Sequence, residues 1–256
     1  MSIDLKKKSE ENLIDLRKKA SISLEKKGLG GQVARVGIVL DISGSMDGLY
    51  RRGIVQNVAE RCLALAMNFD DNGAADVFAF GIRDYEIGEI DQSNFYQFIE
   101  REILKKYKLE AGTQYAGVVK RIADKYYPNA ITTTKKSGFL GFGGKTEVVV
   151  DGSRYRNDPP CYIFYLTDGD NQDKDEMRAV MREVSKLGIF FQFVGVGRDS
   201  FKFLNELDNL EGRYIDNANF FKVDNLDNIS DDQLYDMILA EFPEWLKLAK
   251  SHQIIG

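Results

Sequence analysis

The hydrophobic run Val33–Leu40 closes on Asp41-Ile42-Ser43-Gly44-Ser45, and this feature restricts the fold more than any other. An apolar run of this length reads as a strand buried on both faces, the habit of parallel sheets covered by helices. The residues just past it then stand at the carboxyl end of the strand, where open α/β sheets bind ligands. That position carries one carboxylate and two hydroxyls in the spacing D-x-S-x-S. Hard oxygen donors of this kind suit Mg²⁺, with Mn²⁺ or Ca²⁺ as alternatives. A plainer role is open to Ser43 and Ser45, which also suit a turn and the cap of a following helix.

Strand and helix patterns alternate along the remaining chain. The spacing predicts a helix near 52–69, a strand over 75–80, an antiparallel strand over 85–90 and a helix near 92–107. A helix over 114–126, a strand over Tyr162–Leu166, a helix over 173–187 and a strand over Ile189–Val196 follow. A helix over 200–210, a short strand near Phe220–Val223 and a last helix over 231–250 complete the series. Ser230 and Gln233 mark a capping box for that last helix. Such alternation predicts an α/β fold: a doubly wound, mostly parallel sheet with one antiparallel edge strand and helices on both faces.

Residues 1–30 are set apart as an N-terminal helix, its helical pattern covering 4–27. Leu13, Leu16, Ala20 and Leu24 recur at helical spacing before Gly28, Gly30 and Gly31 stop it. The stripe either packs on its own domain or serves a partner. The main domain, 31–256, carries an insertion at about 128–160.

A count of chain direction tests whether the chemistry converges. With Asp41 at the top of its strand, the loop holding Gly112 and Thr113 also falls at the top, and so does Asp168 after strand 162–166. Three separated segments therefore bring Asp41, Ser43, Ser45, Thr113 and Asp168 to one pole.

This constellation resembles the metal-ion-dependent adhesion site (MIDAS) of von Willebrand factor A domains: D-x-S-x-S, a distant threonine and a distant aspartate before glycine. The likeness covers roughly residues 33–250. The N-terminal helix and its join to the domain are similar to the tellurium-resistance, TerF-type branch of bacterial A domains. The resemblance implies a Mg²⁺ site with an open position that accepts a carboxylate from a protein partner, with Asp41 and Asp168 often acting through bound water. It implies a scaffold or sensor in a bacterial tellurium, toxic-anion or stress resistance system, rather than a catalyst. It also implies that closing of the site shifts the last helix.

Composition narrows the classes further. The net charge of −5 argues against a general nucleic-acid binder. No apolar stretch approaches a membrane span, and the lysine-rich start lacks a signal-peptide core. Cys62 and Cys161 read as separate buried thiols in a reducing, cytoplasmic setting. The rival reading is a Mg²⁺-dependent phosphoryl or ester hydrolase. Against it, the single histidine, His252, lies far from the motif, and Ser43 and Ser45 are committed as ligands.

Other features carry less. Asp170, Asp173, Asp175 and Glu176 crowd the same pole, as a helix start favours. Gly144-Lys145-Thr146 has phosphate-loop character, but Phe139 stands where the spacing needs glycine, and the segment after it is β-like. The stretch Ser137–Gly144 offers Phe139, Leu140 and Phe142 beside lysines, either folded on its own domain or as a second contact surface.

Overall fold

The computed structural model describes residues 2–70, 72–136 and 145–256. The strand that ends at Asp41, β1 (Arg35–Asp41), lies inside a six-stranded sheet. On one side it pairs with β2 (Ala75–Phe80), and beyond that lies β3 (Asp84–Ile90). On the other side come β6 (Cys161–Thr167), β7 (Ile189–Val196) and β8 (Ala218–Val223). Every neighbouring pair is parallel except β2 with β3, so β3 is the antiparallel edge. Between β3 and β6 in the sequence, β4 (Ile131–Lys136) and β5 (Lys145–Val150) pair antiparallel as a separate two-stranded sheet.

Pleating sorts the strand residues into two cores. Val36, Ile38 and Leu40 of β1, with Tyr162, Phe164 and Leu166 of β6, face a layer of α1 (Ser2–Lys26), α3 (Ile54–Phe69), α7 (Asp231–Ile238) and α8 (Phe242–Ser251). Val39, Ile163 and Tyr165 face the other layer, α4 (Ala116–Tyr126), α5 (Lys174–Val184) and α6 (Lys202–Asp208). Burial on both faces is why these strands read as continuous apolar runs. The stripe Leu13, Leu16, Ala20 and Leu24 joins the first core, so α1 packs on its own domain through α3 and α7.

The helix expected near 52–69 forms as α3, and a separate short helix, α2 (Asp47–Arg51), precedes it across Gly53 at φ 74°. Two other expected helices differ from what the chain adopts. The helix near 92–107 is replaced by turns and one π-helical segment, Ile99–Leu104. There Gln97 adopts φ 53°, and the Gln56 amide takes over helix bonds, donating to the Phe95 carbonyl and accepting from the Ile99 N–H. The last helix divides into α7 and α8 around Leu239–Glu241, with Pro243 in the first turn of α8, where its missing N–H costs nothing. The capping box of Ser230 with Gln233 forms at the start of α7. Lys145 and Thr146 lie in β5, the β-like setting expected of a segment that is no phosphate loop. Phe139, Leu140 and Phe142 lie outside the described residues. No helix among the described residues is long and apolar enough to cross a membrane.

Asp231 ties α1 to the domain. Its carboxylate accepts from Lys19 Nζ at 2.9 Å and from Arg61 Nε at 2.8 Å. Burial alone pushes this carboxyl up, but the Lys19 hydrogen bond and the Arg61 charge outweigh it and hold it below the usual range. Such a group stabilises fully above its unfolded value of about 3.9 and loses that contribution as pH falls through its lowered folded value. Asp231→Asn is expected to lower stability by about 1–2 kcal/mol at pH 7. The gap from the parent narrows on acidification, and α1 becomes more sensitive to protease. Urea unfolding at pH 7 and in acid checks this; equal midpoints at pH 7 contradict it.

Candidate metal centre

Parallel pairing of β1 with β6 brings Asp41 beside Thr167 at the carboxyl edge of the sheet. Asp41 is fully buried. Its Oδ1 accepts the Ser43 backbone N–H at 2.7 Å, and its Oδ2 accepts the Thr167 hydroxyl at 2.6 Å. The Tyr50 hydroxyl donates to the Asp41 carbonyl at 2.9 Å. Burial pushes the Asp41 carboxyl up to about 6, although Ser43 and Thr167 hold its charged form.

From this carboxylate a row of oxygens leads out to solvent. Ser43, 4% exposed, places its hydroxyl 3.0 Å from that of Ser45. The exposed Ser45 hydroxyl donates to Asp168 Oδ1 at 2.7 Å. Burial raises the Asp168 carboxyl as well. Oxygens bonded to Mg²⁺ at about 2.0–2.1 Å in an octahedron stand about 2.9 Å apart along its edges. The Ser43–Ser45 and Ser45–Asp168 separations therefore suit one small hard cation. Each Asp41 oxygen accepts one hydrogen bond and keeps a further lone pair free for a bound water or a cation. Among the described residues no three His, Cys, Asp or Glu side chains gather to hold a metal. The donor set expected here draws instead on two carboxylates and three hydroxyls.

The structure brings Asp41, Ser43, Ser45 and Asp168 into one hydrogen-bonded series. Thr113 stands in the adjoining loop, which is laced to both of the others. The Glu110 N–H donates to the Ile42 carbonyl and the Gly44 N–H to the Glu110 carbonyl, each at 2.8 Å. The Gln172 N–H donates to the Thr113 carbonyl at 2.9 Å.

Several residues at this pole escaped the sequence reading. The Glu110 carboxylate accepts from the Ile82 and Arg83 N–H groups and from the Tyr85 hydroxyl. Burial pushes it up, but Tyr85 and the backbone donors outweigh burial and hold it below the usual range. Gly81 lies against it: a Cβ there would meet Glu110 Oε2 at 2.6 Å. Tyr115 donates to the Gly169 carbonyl at 2.6 Å and lies 3.1 Å from the Thr167 hydroxyl. The only sequence signals for these were adjacency, Glu110 shortly before Thr113 and Thr167 directly before Asp168. In α2, the Arg51 guanidinium pairs with Asp47 at 2.9 Å.

The sequence matches the family described as vWA found in TerF C terminus over residues 33–147 and 145–255. The chain belongs to this vWA-TerF-like family. This vWA-TerF-like chain is 41% identical over 245 residues to YcbR of Bacillus subtilis (strain 168), described as an uncharacterized protein; the match covers 94% of this chain and 90% of that one. Among solved structures it is similar to proximal thread matrix protein 1 of the mussel byssus, at 13% identity and a TM-score of 0.53, over 81% of this chain and 48% of that one. A further structure of that mussel protein, with a zinc-occupied MIDAS motif, aligns at 14% identity and a TM-score of 0.45, over 82% and 46%. The chain spans under half the length of these solved proteins, and at such identity the likeness is one of fold alone.

Glu110→Ala strands two backbone N–H groups and the Tyr85 hydroxyl. It is expected to cost about 1.5–3 kcal/mol, with Glu110→Gln recovering part of the loss. Thermal unfolding of both variants checks this, and an unchanged midpoint in Glu110→Ala contradicts it.

Proposed function

We propose that this vWA-TerF-like protein is a metal-dependent protein–protein interaction module whose MIDAS-type site holds Mg²⁺, or Mn²⁺ or Ca²⁺ in its place. The observation that supports it best is the row of closely spaced oxygens on Ser43, Ser45 and Asp168, standing in front of the buried Asp41. In this reading the hydroxyls of Ser43, Ser45 and Thr113 are neutral ligands. Asp168 supplies charge at the rim and Asp41 supplies charge from behind. Two carboxylates just balance a dication, and Asp41 acts from behind the ligand shell, so a bound dication keeps a poorly neutralised, open position for an acidic side chain of the partner.

The protein acts as a scaffold or sensor component rather than a catalyst. In support of this, the Ser43 and Ser45 hydroxyls are spent within the site, and His252 lies past the end of α8. The TerF-type family suits a bacterial tellurium, toxic-anion or stress resistance system. A cytoplasmic location fits the buried, unpaired Cys62 and Cys161, which a reducing compartment preserves.

Calorimetric titration with Mg²⁺ and Mn²⁺ tests the reading. Saturable one-site binding is expected for the parent protein, lost in Asp41→Ala and weakened at least about tenfold in Thr113→Ala. Absence of binding to the parent at millimolar metal, or binding that Asp41→Ala leaves intact, would defeat it.

A further inference from the structure

Asp173 holds an arrangement that its own helix does not explain. It is the N-cap residue of α5, and its carbonyl accepts the Met177 N–H at 2.9 Å as the helix begins. An aspartate at this position ordinarily turns its carboxylate back onto its own first turn. Here it makes no such bond. Oδ1 accepts the Tyr115 N–H at 2.9 Å and Oδ2 accepts the Ala116 N–H at 2.7 Å. These are the N-cap and first residues of α4, and Tyr115 gives α4 no side-chain cap of its own. Asn171 Nδ2 steadies the same carboxylate at 2.7 Å. Thus α4 is capped by a residue 57 positions away in sequence from Ala116, and the negative charge lies where the helix dipole favours it.

We propose that Asp173 is the positioning residue of the candidate metal centre. It sets the loop carrying Thr113 against the loop carrying Asp168. This rests on the MIDAS-type reading given above and adds to it a residue outside the five site residues. Thr113 lies two residues before Tyr115, and Asp168 five before Asp173. The Gln172 N–H to Thr113 carbonyl bond and the Tyr115 hydroxyl to Gly169 carbonyl bond close the same junction from either side. Without the carboxylate, two N–H groups at the start of α4 lose their acceptor, and the Thr113 loop loses its register. Outer groups that orient metal ligands commonly govern affinity by about 10–100-fold.

The test is Mg²⁺ titration by calorimetry of the parent, Asp173→Ala, Asp173→Asn and Ser230→Ala, with amide hydrogen exchange at Tyr115 and Ala116. Ser230→Ala removes a cap at α7, which packs against α1, and serves as a control for lost stability alone. Asp173→Ala is expected to lower Mg²⁺ affinity about 10–100-fold and to speed exchange of the two amides. Asp173→Asn, whose amide oxygen accepts one of the two N–H groups while its NH2 faces the other, recovers only part of the affinity. Ser230→Ala lowers the melting temperature and leaves affinity unchanged. Parent-like affinity in Asp173→Ala, with the two amides exchanging fast, overturns the inference. So does an equal loss of affinity in Ser230→Ala. If Asp173→Ala does not fold, parent-like affinity in a folded Asp173→Asn overturns it. A parent protein that binds no Mg²⁺ removes the MIDAS-type reading itself, which the parent titration reveals separately.

Discussion

A carboxylate removed from water at the end of β1 sets the terms for the whole upper pole. Burying Asp41 carries a desolvation cost, which pushes its carboxyl up. Two partners offset that cost, the Ser43 N–H and the Thr167 hydroxyl. The first fixes the turn that begins Ile42-Ser43-Gly44. The second requires β6 to lie beside β1 in the register that pairs Leu40 with Leu166. Sheet order and site geometry are thus one constraint. Slipping β6 by a residue would remove the Thr167 bond and turn Tyr165 out of the core it fills.

The same device recurs around Asp41. Glu110 and Asp173 are carboxylates placed to collect backbone N–H groups from other segments. Glu110 secures the turn after β2, and Asp173 secures the first turn of α4. Each joins two loops, beside the Gln114 N–H to Gly81 carbonyl and Gln172 N–H to Thr113 carbonyl bonds, so loops at the edge of the sheet behave as parts of one frame. Function-bearing loops on a rigid scaffold are the common arrangement in open α/β sheets. In this chain charge-assisted hydrogen bonds tie these loops together.

Much of this was legible in the sequence where the signal is local. Strands 75–80 and 189–196 carry their burial in their composition, and the structure places Ala75–Phe80 and Ile189–Val196 there. The capping box at Ser230 is a four-residue signal, and it forms as read. Asp41, Ser43 and Ser45 share a short spacing, and chain direction alone set Asp168 at the same pole. What was lost depends on contacts distant in sequence. Nothing in 92–107 shows that Gln56 will supply its hydrogen bonds, and nothing near Glu110 or Asp173 shows which amides they reach. Asp173 reads as an ordinary helix-start acid, and only the position of α4 shows where its carboxylate goes.

The central claim is that one cation sits among these oxygens, and crystals soaked in Mn²⁺ with anomalous diffraction test it most directly. The account predicts a single strong anomalous peak bonded to the Ser43 and Ser45 hydroxyls, beside Asp168 and in front of Asp41. A peak confined to other carboxylates, or none at this pole in well-ordered crystals at millimolar Mn²⁺, would contradict it.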